Sequence, residues 1–317
     1  MLRNGLIHLS ESVAAKKLVT GTPLRTMSRR FVPGETVDDL IGAIRDANRA
    51  GMSVTANYLG EAEKSESSVR AAATTYTDVM DRMAAAGLNG GVSLKFTQLG
   101  QAISDDFLAE NLGPLLERGK KDGLFIRFDM ESSDYTQRTL DAFEHVWNEG
   151  WRDIGVVLQS YLRRSKEDIA RMNELGARVR LCKGAYAEPE EVAFQEREEV
   201  DGSFVELMKM LLKDGNFPGI ATHDDEMIGA TIQFAKHENI PKDSFEFQML
   251  YGVRRDLQRE LVKEGYGVRV YVPFGESWYP YLMRRLAERP ANIAFFAGSV
   301  VKESPLGFLW PNGRKTD

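Results

Sequence analysis

From about residue 50 onward, the apolar positions along the chain change period in a regular way. Short runs rich in Val, Ile, Leu and Phe are each followed by a longer stretch with apolar residues every three or four positions. The runs cover 52–58, 91–96, 124–129, 154–159, 178–181, 219–222, 245–249 and 268–272, eight in all. Strands alternating with amphipathic helices predict an α/β fold with a parallel sheet, and eight such units predict a (βα)8 TIM-type barrel, somewhat distorted. An open doubly wound sheet is the alternative. It normally uses fewer strands, and its dinucleotide-binding form carries a glycine fingerprint that is absent here. Before residue 50 the pattern is helical. Leu2, Leu6, Ile7 and Leu9 form one stripe. Val37, Leu40, Ile41, Ile44 and Ala47 form a second, with Thr36 as its expected N-cap. The expected organisation is an N-terminal helical cap over 1–50 and a barrel over 51–317.

In such a barrel, side chains at the C-terminal ends of the strands build the active site. Here those ends are rich in chemistry: Ser93-Leu94-Lys95, Arg127-Phe128-Asp129-Met130, Gln159, Arg180-Leu181-Cys182-Lys183-Gly184-Ala185-Tyr186, Thr222-His223, Leu250 and Tyr271. Singly, each has a plainer reading. A Lys or Asp at a strand end is more often a surface charge or helix cap, and Lys183-Gly184-Ala185-Tyr186 could be only a tight turn. Their convergence on one mouth is harder to dismiss. After the last strand comes a helical stretch, 278–290, bounded by Pro290. On it Tyr281, Arg284, Arg285 and Glu288 share one face by their i, i+3, i+4, i+7 spacing. Two arginines beside an aromatic ring suit a small carboxylate, because the planar guanidinium matches two carboxylate oxygens. On spacing alone, a solvated helix with an Arg–Glu pair remains the simpler view.

Composition narrows the partners. The 317 residues are 43% hydrophobic, with net charge −6 and no run of one sign, so nothing points to nucleic acid. The single cysteine, Cys182, excludes a disulfide framework and fits a reducing compartment. The four histidines are scattered and match no metal-ligand spacing, so no metal is expected. No P-loop is present, so any nucleotide is held by other means. No apolar run reaches membrane-spanning length, and no signal peptide is visible.

The segments Val179-Arg180-Leu181-Cys182-Lys183-Gly184-Ala185-Tyr186 and Tyr281-Leu282-Met283-Arg284-Arg285, with Ala221-Thr222-His223 between them, strongly resemble proline dehydrogenases. The resemblance runs from about Thr55 to Asn292, departing only at variable positions such as Tyr251 and Phe274. It implies FAD over the barrel mouth, and oxidation of L-proline to Δ1-pyrroline-5-carboxylate as the first step of proline catabolism. It also implies Arg180 against the flavin ring, with Met130, Gln159, Lys183, Gly184, Ala185, Thr222 and His223 holding the cofactor. Lys95, Arg284 and Arg285 are implied for the substrate carboxylate. Asp129 orients the site, and Leu250, Tyr271 and Tyr281 enclose the pyrrolidine ring. Glu288 completes the face of the last helix. A membrane quinone is the implied electron acceptor. No aldehyde dehydrogenase segment follows, so a separate pyrroline-5-carboxylate dehydrogenase is expected to take the product. A cytoplasmic protein with peripheral contact on the inner face of the membrane follows, with the N-terminal helices or Phe308-Leu309-Trp310 touching lipid. Two other readings remain on the residues alone. One is a Schiff-base aldolase using Lys95 or Lys183; the other is a non-catalytic amino-acid binding protein.

Overall fold

The computed structural model describes residues 28–60 and 65–288, the side chains of 284–288 excepted. The first helical stripe and the Phe308-Leu309-Trp310 cluster lie outside these residues. Eight parallel strands close into a barrel in sequential order, β1 pairing with both β2 and β8. They are β1 Ser53–Tyr58, β2 Gly90–Leu94, β3 Phe125–Phe128, β4 Ile154–Gln159, β5 Arg178–Cys182, β6 Gly219–Ala221, β7 Glu246–Leu250 and β8 Gly267–Phe274. All eight expected strands are present. β8 is longer than its apolar run because Pro273 and Phe274 stay in register with Asn57 and Tyr58. Helix α1, Val37–Arg49, precedes the barrel. Thr36 caps it through a reciprocal capping box with Asp39. The helices between strands are α2 Glu66–Ala85, α3 Asp105–Asp122, α4 Ser133–Asn148, α5 Ser165–Leu175, α6 Arg197–Asp214, α7 Asp225–His237 and α8 Arg255–Lys263. Helix α9, Trp278–Glu288, follows β8.

Side chains alternate along each strand, and the two faces divide the labour. Outward residues such as Val92, Leu94, Ile126, Phe128, Phe247 and Met249 pack under the helices in one continuous apolar core. That core includes Leu40, Ile41 and Ile44 of α1, so α1 is continuous with the barrel. Inward positions are largely polar, which the apolar runs did not foretell: Ser93, Arg127, Asp129, Arg180, Glu246 and Gln248 are all buried. Inward glycines make room for them. A Cβ on Gly155 would lie 2.5 Å from Arg127 Nη1, and one on Gly219 would lie 2.3 Å from Gln248 Nε2.

A second, smaller apolar cluster seats the last helix. Phe31, Val32 and Leu59 pack with Trp278, Tyr281 and Leu282 of α9. Trp278 Nε1 donates to Glu35 at 3.0 Å, and Gly275 N–H donates to the Gly34 carbonyl at 3.2 Å. The segment before α1 therefore fixes the start of the helix that carries Arg284 and Arg285.

Candidate active site

Asp129, just beyond the end of β3, is the hub of the mouth. Its Oδ1 accepts from Ser93 Oγ at 2.5 Å and from Arg180 Nη1 at 2.8 Å. Its Oδ2 accepts from the Tyr271 hydroxyl at 2.8 Å and lies 3.4 Å from Lys95 Nζ. Four donors from β2, β5, β8 and the turn after β2 occupy the lone pairs of one buried carboxylate. Burial alone would raise the Asp129 pKa. The charges of Lys95 and Arg180, with hydrogen bonds from Ser93 and Tyr271, outweigh it and hold the carboxyl below its ordinary 3.8. The Tyr271 ring keeps some exposure, but its hydroxyl is enclosed. Burial, then the Asp129 charge, pushes the phenol well above its usual range. Asp129 is therefore a fixed anion and Tyr271 a fixed donor. With its acceptor capacity spent, Asp129 is suited to orient neighbours rather than to take a proton.

Arg180 extends from this hub across the barrel. Its Nη1 also reaches Ser93 Oγ at 3.2 Å, and its Nε donates to Gln248 Oε1 at 2.5 Å. The guanidinium lies 5.3 Å from the Tyr271 ring centre. The remaining nitrogen, Nη2, is buried and has no partner among the described residues. An unsatisfied buried donor on a cation is costly unless another group meets it.

Of the other expected residues, Lys183, Gly184, Ala185, Thr222, His223 and Leu250 lie around the ends of β5, β6 and β7, and the rest sit elsewhere. Lys183 pairs with Asp224 at 2.9 Å and with Asp201. Gly184 has φ +117°, and a Cβ there would come 2.3 Å from the Tyr161 ring, so the turn after β5 requires glycine. Ala185 is exposed beside it. Gln159 is buried and donates to the Glu131 carbonyl at 2.8 Å, while Met130 is buried in the main core. Thr222 is buried and accepts from the Asp224 N–H at 3.1 Å. His223 Nε2 accepts from the Leu250 N–H at 2.8 Å, which ties the ends of β6 and β7 together. Tyr281 is buried at the start of α9. The side chains of Arg284, Arg285 and Glu288 lie outside the described residues.

The structure thus brings Lys95, Asp129, Arg180 and Tyr271 into one cluster and lines the rim with Lys183, Gly184, Thr222, His223 and Leu250. Ser93, at one of the expected strand ends, joins the cluster, and the structure adds residues that were not singled out: Glu246, Gln248 and Arg269. The signal for them was alternation. Glu246, Gln248 and Arg269 each lie two positions from a polar residue on their own strand, which marks an inward polar face.

Charged side chains converging at the C-terminal end of a closed (βα)8 barrel are the architecture of a barrel enzyme. The family profile described as proline dehydrogenase matches residues 40–297. Proline dehydrogenase 1 of Bacillus subtilis (strain 168) is 38% identical over 303 residues, covering 96% of this chain and all of that protein. Proline dehydrogenase of Deinococcus radiodurans is 39% identical, covering 95% of this chain and 98% of its own length. Among solved structures, proline utilization A from Bdellovibrio bacteriovorus, inactivated by N-propargylglycine, superposes with a TM-score of 0.80 at 27% identity. It matches 94% of this chain, which spans 36% of that longer protein. The chain belongs to the proline dehydrogenase family.

Proposed function

We propose that this protein catalyses the first step of proline catabolism, oxidising L-proline to Δ1-pyrroline-5-carboxylate with FAD and passing the electrons to a quinone. The observation that carries the reading is the buried Arg180, anchored on Asp129, Ser93 and Gln248 with Nη2 left unpartnered among the described residues. A preorganised cation with a spare donor fits a site where negative charge develops. Glycine is required at Gly184 by the turn that would border the cofactor, which also fits. Bound there, FAD supplies the two-electron sink for the hydride leaving the ring carbon next to nitrogen, which no side chain can provide.

Met130, Gln159, Lys183, Gly184, Ala185, Thr222 and His223 would hold the cofactor. Arg180 would stabilise its electron-rich reduced form. Lys95, with Arg284 and Arg285, would bind the substrate carboxylate. Leu250, Tyr271 and Tyr281 would enclose the ring and exclude water, and Glu288 would complete that face. Asp129 positions Lys95, Arg180 and Tyr271 without exchanging a proton itself. The amine enters the reaction neutral, so that its lone pair assists the departure of hydride.

An aldolase reading is weaker on geometry. A Schiff-base lysine is activated by an apolar pocket or a cationic neighbour. Lys95 and Lys183 instead face carboxylates. Among the described residues no helix is long and apolar enough to cross a membrane, so delivery to a quinone calls for peripheral contact at the cytoplasmic face. The product would pass to a separate dehydrogenase.

The test is spectroscopic. The purified protein should be yellow, anaerobic L-proline should bleach it, and the product should condense with o-aminobenzaldehyde. A folded, colourless protein without flavin affinity overturns the cofactor. A flavin bleached by another amino acid but not by proline overturns the substrate. Borohydride trapping of a covalent substrate adduct would favour the aldolase.

A further inference from the structure

We infer that Gln248, held in one orientation by Glu246 and Arg269, is a positioning residue that fixes the guanidinium of Arg180. The inference rests on the flavin reading of Arg180 only for its kinetic consequence.

Four side chains form a continuous line across the barrel interior. Arg269 Nη1 is anchored on the Val54 carbonyl at 3.1 Å, and its Nε donates to Glu246 Oε1 at 2.6 Å. The same carboxylate oxygen accepts from Gln248 Nε2 at 2.6 Å. Gln248 Oε1 then accepts from Arg180 Nε at 2.5 Å. The amide of a glutamine can usually be turned over with little penalty. Here it cannot. The flipped amide would set NH2 against the Arg180 Nε–H and its oxygen against the Glu246 carboxylate, and both encounters are repulsive. Glu246 therefore dictates which end of Gln248 meets Arg180. Gly219 keeps the space open, since any Cβ there would collide with Gln248 Nε2 at 2.3 Å.

The line controls rotation. Asp129 and Ser93 hold one edge of the guanidinium, and Gln248 holds the Nε side. Two fixed edges define the plane and leave Nη2 as the nitrogen presented to a ligand. Without Gln248, Arg180 remains paired to Asp129 but is free to turn about that pair.

Three variants test this. Gln248→Leu removes the acceptor. The double substitution Glu246→Gln with Gln248→Glu exchanges acid and amide while conserving the net charge and a matching donor or acceptor for each neighbour. The carboxylate now at position 248 would accept from Arg180, and the amide now at position 246 would turn so that its oxygen accepts from Arg269 and its NH2 donates to that carboxylate. Arg180→Met identifies the Arg180 signal. The first readout is independent of turnover. In protein labelled with 15N-arginine, exchange of the Arg180 Nε–H with water should be slow in wild type and in the double variant. It should be at least about tenfold faster in Gln248→Leu. The second readout is flavin reduction by L-proline. It should fall about tenfold or more in Gln248→Leu with KM within about twofold, and return to within about threefold of wild type in the double variant. Unchanged exchange in Gln248→Leu overturns the inference, as does a double variant no better than Gln248→Leu. Should Gln248→Leu fail to fold, Gln248→Asn, which retracts the amide by one methylene, carries the same expectations. If Arg180→Met leaves flavin reduction intact, the cofactor role of Arg180 fails. The exchange measurement still decides the positioning role.

Discussion

On strand β3 and the residue after it, Ile126 and Phe128 point outward into the apolar core, while Arg127 and Asp129, their immediate neighbours, point inward among other charges. The same division holds on β7, where Phe247 and Met249 face the helices and Glu246 and Gln248 face the axis. The outer face gains from leaving water, at about 1.5–3 kcal/mol for each fully buried large apolar side chain. The inner face gains little net stability, because burying paired charges roughly offsets their attraction. What the inner face provides is fixed geometry: Asp129 and Arg180 hold each other and are held by partners on β2, β7 and β8. Adhesion and chemistry are thus separated by one residue along the chain, and substitutions on the two faces should fail in different ways.

The largest effect is expected on the outer face. Phe128→Ala removes a ring 4.6 Å from Phe96 and 6.1 Å from Phe143, centre to centre. It should lower unfolding free energy in urea by about 3–5 kcal/mol while leaving turnover per folded molecule close to wild type. Next, on the inner face, Arg180→Met should raise the barrier to flavin reduction by about 2–4 kcal/mol, read by stopped-flow, with a smaller effect on proline affinity. Equal losses of stability and turnover in both variants would erase the distinction. Third, Tyr281→Ser probes the rim. Tyr281 is proposed to enclose the pyrrolidine ring, so a smaller side chain there leaves room for a ring hydroxyl, and the variant should narrow the preference for proline over 4-hydroxyproline. The change in the kcat/KM ratio should be about 1–3 kcal/mol. An unaltered ratio would place the ring elsewhere. Smaller still, Thr36→Ala breaks an exposed capping box and should cost about 0.5–2 kcal/mol of stability with no change in kinetics.

The mildest test is of pH. The Asp129 carboxyl is held below 3.8 in the fold. Its contribution to stability is therefore fully present above that value and is lost as pH falls through the lowered pKa. Between about pH 8 and 5 an Asp129→Asn variant should run parallel to wild type in thermal stability, with the two curves converging only in stronger acid. Convergence already near neutrality would mean that Asp129 is not a fixed anion.

The strand–helix alternation was legible because outward faces and helix stripes follow hydrophobic period. Strand-end chemistry also picked out Lys95, Asp129, Arg180 and Tyr271, which closure of the barrel brings into one cluster. Glu246, Gln248 and Arg269 were not legible. Each is an ordinary polar residue inside a strand, and its significance depends on which strand stands opposite across the barrel. That is set by closure, which no local pattern encodes. Lys183 shows the same limit. Its carboxylate partners, Asp201 and Asp224, come from α6 and the cap of α7, distant in sequence.

Closure has a further consequence, for the order in which the molecule assembles. β1 and β8 pair over six registered residues, and Arg269 crosses that seam to the Val54 carbonyl, 215 positions away in sequence. Contacts so remote repay their loop-closure entropy only when nearly the whole chain is in place, and topologies that depend on them fold slowly. On the ribosome, the earlier strands can pair with their neighbours as they emerge, but the seam waits for residues 267–274. Because Arg269 both stitches the seam and braces Glu246, the line that ends at Arg180 is completed by the same event that shuts the barrel. A nascent chain whose barrel has not yet closed therefore lacks the alignment of its central arginine.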